Sequence, residues 1–318
     1  MKKRFQSGYV DLFITILASA VFIASFVITF LNDNETIKET QIPLTSIISN
    51  PTTTPSSAPT VTPTIVATFI PTTKPTIKST AVPIIINIPP NAGYSRQSVK
   101  TDAGIFTVSI ISADISSTRV IVDTASTSDC NSNCPVLSLS DYVSRNNGFA
   151  GINGTYFCPK DYPSCVGKEN SFDLLVMNKD KYYFNSGNNV YSTNPVVGFR
   201  SGSVNFVTAG SQWGRDTSLT GVLMNYPLLV FNGNVTFGGD GDPKTGSKGS
   251  RSFVANRGNV VYIGVVHSAT VAESARVMKT LGMDNALNLD NGGSTALWFG
   301  GYKVGPGRQI PNAIIFVR

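Results

Sequence analysis

Three patterns of apolar and polar positions succeed one another along the 318-residue chain. The first is an unbroken apolar run from Leu12 to Leu31, with no charge inside it. Its roughly 20 residues, at ~1.5 Å of helical rise each, match a ~30 Å hydrocarbon core. The second pattern, residues 33 to 92, is rich in Thr, Pro, Ser and Ile and has no period. Its prolines fix φ and remove amide donors, so neither helix nor central strand persists there. That composition predicts a disordered, semi-extended linker. The third pattern, residues 93 to 318, has short β-branched and aromatic runs divided by Gly and Asn, the mark of strands and turns. The apolar stretch Val82 to Ile88 is an alternative start for this domain.

Within the third region, strands are predicted at Phe106–Ile111, Arg119–Asp123, Leu174–Asn178, Lys181–Phe184 and Ala313–Val317. Leu228–Phe231 and Val235–Phe237 flank Asn232-Gly233, a hairpin signal because a type I′ turn needs positive φ. Ser252–Asn256 and Val260–Val266 flank Arg257-Gly258 in the same way. Two helices are predicted. Ser140–Asn146 is short. Thr270–Leu281 opens on a Thr270/Glu273 capping box, carries apolar residues at 271, 272, 275, 277, 278 and 281, and meets Gly282 at its end. Strands outnumber helices and come as hairpins, so the fold class is α+β with a mainly antiparallel sheet, preceded by one transmembrane helix and a disordered linker.

Charge sharpens the picture. Lys2, Lys3 and Arg4 precede the apolar run and belong on the cytoplasmic side, which puts the folded domain outside as a single-pass, extracytoplasmic unit. A cleaved signal peptide is the rival reading. Its apolar core usually runs only ~7–15 residues. Residues 93–318 hold 19 basic against 15 acidic side chains, +4 of the formal +6, scattered without a basic run. Nucleic acid is therefore excluded as a partner. Cys130, Cys134, Cys158 and Cys165 all lie in this domain. In an exported chain four cysteines read as two disulfides, with three pairings open. A four-Cys zinc site is the alternative, and the spacings fit it poorly.

Several residues carry possible chemistry. In Asn285 to Trp298 an apolar strand runs into Asp290, followed by Gly292-Gly293, Ser294 and Thr295. Glycines there let backbone amides approach a ligand closely. In Gly151 to Phe157 another strand runs into Asn153-Gly154-Thr155-Tyr156. Asn153 suits sugar hydroxyls, and Tyr156 or Phe157 suits a sugar ring. Asn153-Gly-Thr155 and Asn234-Val-Thr236 also fit the N-glycosylation pattern. Arg251, after Lys248-Gly-Ser, suits a phosphate. His267 is the lone histidine, so multi-histidine metal sites are excluded, and the chain has no G-x-S-x-G elbow. Asp240 and Asp242 offer oxygens for a divalent cation such as Ca²⁺, although a polar turn explains them more simply. No cofactor is otherwise called for. Each of these patterns also has a plain structural reading, as a hairpin turn, a helix cap or an exposed charge.

Taken in order, Asn-Gly-Thr-Tyr-Phe (153–157), Ser-Arg-Ser (250–252), the helix from Glu273 to Gly282, Ala-Leu-Asn-Leu-Asp-Asn-Gly-Gly-Ser-Thr (286–295) and Gly307-Arg308-Gln-Ile-Pro-Asn-Ala-Ile resemble the phosphodiester glycosidases, over about residues 105 to 318. Two departures stand out. Asn291 takes the place of a usual Gly, where tolerance of positive φ would preserve the turn. Ser250-Arg251-Ser252 replaces a usual Pro-Arg-Thr.

The resemblance implies a hydrolase that cleaves a sugar–phosphate diester at the anomeric bond, acting on a glycan or sugar-phosphate substrate. For that reaction the residues suit Asp290 as base or nucleophile and Arg251 as phosphate clamp, with Glu273 or His267 as reserve acid/base groups. Gly292, Gly293, Ser294, Thr295 and Arg308 would assist at the substrate, while Asn153, Gly154, Thr155 and Tyr156 would hold the sugar. Two rival functions use the same residues: a non-catalytic surface module that binds polysaccharide, and an accessory transferase of polysaccharide biosynthesis. The hydrolase reading depends on Asp290 and Arg251 sharing one pocket; a wide separation would favour the binding module.

Overall fold

A computed structural model describes residues 83–318; the predicted anchor and most of the predicted linker lie outside the described residues. Among the described residues no helix is long and apolar enough to cross a membrane. The strands form three sheets, and every pair of them is antiparallel.

The largest sheet has seven strands. In spatial order they are β1 (Gly93–Thr101), β2 (Gly104–Asp114), β13 (Val260–Ala269), β12 (Gly249–Arg257), β14 (Asn285–Asn288), β10 (Leu228–Phe231) and β11 (Asn234–Val235). A second sheet is ordered β16 (Tyr302–Val304), β15 (Leu297–Phe299), β4 (Ala150–Asn153), β17 (Asn312–Val317) and β3 (Arg119–Thr124). A third is ordered β6 (Tyr183–Phe184), β5 (Val176–Met177), β9 (Gly221–Met224), β7 (Val196–Arg200) and β8 (Ser203–Val207). Among the described residues four α-helices complete the fold: α1 (Leu139–Arg145), α2 (Asn188–Tyr191), α3 (Pro243–Gly246) and α4 (Val271–Thr280). This is an α+β, mainly antiparallel architecture.

The central strands of the large sheet are apolar on both faces because both faces are covered. Ile111, Val254, Ile263, Val265 and Leu287 face a core shared with Ile152, Leu297, Ile314 and Phe316 of the second sheet and Val197, Phe199 and Leu223 of the third. The alternate residues Phe106, Val108, Ile110, Phe253, Ala255 and Tyr262 pack beneath α4, against Val271, Ala275 and Met278. Each fully buried branched side chain contributes about 1.5–3 kcal/mol of transfer free energy. Helix α4 begins as its capping box predicts. The Glu273 amide donates to Thr270 Oγ1 at 3.0 Å, the Thr270 amide donates to Glu273 Oε2 at 2.7 Å, and Gly282 leaves the helix at φ +72°. At the β10–β11 hairpin Asn232 and Gly233 both take positive φ.

The disulfides are Cys130–Cys134 and Cys158–Cys165, bridging 4 and 7 positions along the chain. Ahead of β1, Ile85 bridges Ser98, and the Gln97 side-chain amide donates to the carbonyls of Ile86 and Ile88.

Candidate active site

Strand register assembles the site. On β12 and β14, Phe253 pairs with Asn288, and the Leu289 amide donates to the Ser252 carbonyl at 2.9 Å. Beyond the end of this antiparallel ladder, Arg251 on β12 and Asp290 after β14 come to one cleft. Both line a cleft of about 540 Å³, together with Tyr156, Tyr162, Tyr226, Asn291, the Gly292-Gly293-Ser294 turn and Arg308. Arg251 and Arg308 are 57 positions apart in sequence, yet both line this cleft.

Asp290 is the unusual group. Its Oδ1 accepts the Asn291 amide at 2.8 Å, while Oδ2 is buried and accepts no hydrogen bond. Burial penalises the carboxylate and pushes its pKa up to about 7, although Ser294, the Asn291 amide and Arg308 draw it back. A carboxyl that ionises near neutrality, with one oxygen unengaged, is equipped to take or give a proton.

The cations differ from each other. Arg251 is only 5% exposed, and it donates through Nε to the Ala269 carbonyl at 2.9 Å and through Nη2 to the Ser247 carbonyl. Burial lowers its pKa and Tyr156 partly restores it. Two of its five N–H groups are thus spent on backbone, which fixes its orientation and leaves the rest for a ligand. Arg308 makes no ion pair among the described residues. Its guanidinium lies over the Tyr162 ring at 5.1 Å, and its amide donates to the Gly293 carbonyl at 2.9 Å. A side chain at Gly293 would displace this guanidinium, so glycine there lets Arg308 lie against the turn.

A buried asparagine scaffold holds the turn. Asn153, fully buried, donates to the Asp290 carbonyl at 2.7 Å and accepts from Ser252 Oγ at 2.9 Å and the Ala296 amide at 3.1 Å. The Gly154 carbonyl accepts the Asp290 amide, and Asn312 presses on Gly154 so closely that no side chain fits. Thr155 is 2% exposed and engages Asn225 and Asn312. In place of the direct sugar contacts expected of Asn153, Gly154 and Thr155, the structure gives them a positioning role. Burial of Asn153 also withdraws its glycosylation pattern from the folded surface, whereas Asn234 is exposed. Thr295, 4% exposed, likewise faces inward, within 3.5 Å of Ser252 Oγ.

Three expectations change. Asn291 has φ −123°, an extended conformation, and the positive φ of the turn belongs to Gly292 at +62°. Asn291 acts through its side chain, accepting from the Ser252 amide and donating to Tyr156 and Asn288. Glu273 and His267 do not line the cleft. Although burial acts against it, hydrogen bonds from Thr270 and a 3.3 Å ion pair with Lys248 hold the Glu273 pKa below its ordinary value. His267 Nε2 lies 3.0 Å from Ser109 Oγ on the large sheet, and burial, with Arg96 nearby, lowers its pKa. Asp240 and Asp242 sit on the cleft rim, where Asp240 accepts from Thr245 and Tyr226 and Asp242 caps α3. Among the described residues no group of three or more His, Cys, Asp or Glu is arranged to hold a metal ion.

A family model described as phosphodiester glycosidase matches residues 146–317, which include β12, β14, the Asp290 turn and Arg308. The chain belongs to the phosphodiester glycosidase family. No curated protein matches it in sequence. Among solved structures, this phosphodiester glycosidase fold is similar to the catalytic domain of zebrafish N-acetylglucosamine-1-phosphodiester alpha-N-acetylglucosaminidase, auto-inhibited by pro-peptide, at 13% identity and TM-score 0.55, covering 71% of this chain and 82% of that one. It is also similar to a hypothetical protein from Synechocystis at 17% identity and TM-score 0.50, covering 71% of this chain. The match spans 62% of the Synechocystis chain. At such identities the likeness is one of fold.

Some participants carried no sequence signal of their own. Asn225, fully buried, accepts the Tyr156 amide at 2.9 Å and donates to the Asn288 carbonyl at 2.8 Å. Its one clue is position: a polar side chain inside the apolar run from Val222 to Val230 must find partners if buried. Tyr162 and Tyr226 reach the cleft from loops and have no periodic pattern to mark them.

Proposed function

We propose that this chain is an extracytoplasmic, membrane-anchored hydrolase that cleaves the bond between a sugar's anomeric carbon and the phosphate of a sugar-1-phosphodiester. The observation that carries the reading is one cleft holding a buried carboxyl with a pKa of about 7 and two guanidinium groups. A phosphomonoester leaves far more readily than a sugar alkoxide. One carboxyl with a cationic clamp can therefore do what ordinary glycosidases do with two carboxylates. In this mechanism Arg251 and Arg308 take the phosphate. Asp290 serves the anomeric carbon, as base for water or as nucleophile, and the configuration of the released sugar separates the two. Tyr162 and Tyr226 offer ring faces to sugar or aglycone. The same aromatic lining also favours a second reading, a module that binds polysaccharide without turning it over.

The test uses the full-length chain in mild detergent with a panel of sugar-1-phosphodiesters. Free sugar should appear, and Asp290→Asn should lower its rate at least ~100-fold, the usual contribution of a positioned acid/base group. Binding without release by the unaltered chain would favour the non-catalytic module. Transfer of the sugar to an alcohol in place of water would favour the transferase.

A further inference from the structure

Two amide nitrogens surround the phenol oxygen of Tyr156. Asn288 Nδ2 lies 2.7 Å away and Asn291 Nδ2 3.2 Å away. Neither side-chain amide can be turned over. Asn288 Nδ2 also faces the carbonyls of Tyr226 and Leu289, both at 2.9 Å and both able only to accept. Asn291 Oδ1 faces the Ser252 amide at 3.0 Å, which can only donate. An amide nitrogen has no lone pair to offer a hydroxyl, so neither can accept from the phenol. Asn291 donates to the phenol oxygen, and Asn288, with two N–H groups facing three acceptors, shares its hydrogens between that oxygen and the two carbonyls. The Tyr156 hydroxyl hydrogen thus has no acceptor in this pair, and no other acceptor lies within reach among the described residues. The ring is half-buried, lines the cleft, and lies within electrostatic reach of both Asp290 and Arg251.

We infer that Tyr156 is a dedicated hydrogen-bond donor to the phosphate of the substrate, at the oxygen that bridges phosphorus and the anomeric carbon. The inference rests on the hydrolase reading for the identity of that oxygen. Between a carboxyl serving the carbon and guanidiniums holding the phosphate, the bridging oxygen is the atom that falls in the middle. As the carbon–oxygen bond breaks, its electron pair stays on this oxygen, and water supplies the new oxygen on carbon. The proton of that water goes to Asp290. Tyr156 keeps its own proton and stabilises the charge by donation alone, as an oxyanion-hole donor does. The two asparagines strengthen it, because donation into the phenol oxygen polarises its O–H. Burial keeps the phenol neutral well above physiological pH.

The test is Tyr156→Phe in the full-length chain, which removes one oxygen and keeps the ring. Two readouts are taken. The first is calorimetric titration with inorganic phosphate. Affinity should fall about tenfold, the usual effect of losing one charge-assisted hydrogen bond. The second is turnover of sugar-1-phosphodiesters. kcat should fall ~10–100-fold with KM nearly unchanged, and the loss should shrink when a trifluoroethyl ester replaces an ethyl ester and makes the departing phosphate less basic. Asn291→Asp hands the phenol an acceptor with the ring intact, but its carboxylate also repels phosphate, so only its kcat loss, shrinking with the less basic leaving group, decides the matter if Tyr156→Phe fails to fold. Unchanged phosphate affinity, or a kcat loss identical across leaving groups, overturns the donor role. If the unaltered chain releases no sugar yet the Phe variant binds phosphate tenfold more weakly, the donor role stands and the hydrolase reading falls. If no variant and no unaltered chain binds phosphate, the inference falls with it.

Discussion

Asp290 and Glu273 are carboxylic acids that both begin as candidates for acid/base work, and the two regions treat them in opposite ways. Glu273 sits in the first turn of α4. One oxygen accepts the Thr270 amide, the other meets Lys248, and the group stays ionised. Asp290 sits after β14 with one oxygen served and the other bare, in a place where charge is costly. The first arrangement stabilises a helix. The second spends stability to keep a proton exchangeable near neutral pH. Reactivity here follows from what the protein withholds from a side chain, since both groups have the same chemistry.

The contrast breaks most visibly in turnover. Asp290→Asn should lower sugar release by ~100-fold to ~10,000-fold, and Glu273→Gln by less than about twofold, both measured as kcat/KM on one phosphodiester. Comparable losses in the two variants would erase the distinction. On the proposed function, the unaltered chain should gain activity as pH rises through about 7, where Asp290 ionises, and Asp290→Asn should lose that dependence.

Stability comes next. The Asp290 proton is lost near pH 4 in an unfolded chain and near 7 in the folded one, so its favourable contribution is full below about pH 4 and disappears as pH rises through about 7. Asp290→Asn should therefore unfold at higher denaturant than the unaltered chain at pH 8, by about 4 kcal/mol, with most of the advantage gone at pH 4. A variant equally stable or weaker at pH 8 would show that the carboxylate is compensated. A smaller change is expected of Arg308→Ala, about tenfold in kcat/KM from one lost phosphate contact, with no change on a substrate lacking phosphate. Smallest is Thr270→Ala, which should cost about 1 kcal/mol by removing the α4 cap while leaving kcat unaltered; a fall in kcat would tie α4 to the chemistry.

Legibility in the sequence followed the same divide. The α4 cap, the Asn232-Gly233 hairpin and the central strands of the large sheet were readable because each is a local signal: a box of spacing three, a turn dipeptide, a run of β-branched residues. β1 was not readable, since an edge strand needs few buried positions and Gly93–Thr101 is mostly polar. β7 and β8 were missed because Gly198 interrupts one and the other buries only Phe206. At the site, Asp290 and Arg251 were legible as types. Their meeting in one cleft is a matter of how distant strands pair, which no local pattern encodes. The buried roles of Asn153, Asn225 and Asn291 are equally non-local: an asparagine announces hydrogen bonds without naming its partners.

The two disulfides each close a short loop, and neither joins one sheet to another. Their entropic contribution is about 2 kcal/mol apiece, too little to decide whether three sheets with a common apolar interior stay folded. The Cys158–Cys165 loop, however, carries Pro159 and Tyr162 to the mouth of the cleft. Treatment with a mild thiol reductant would therefore lower the melting temperature by several degrees without unfolding the domain, while slackening the grip on bulky aglycones. In a reducing compartment the molecule would keep its shape and become less choosy.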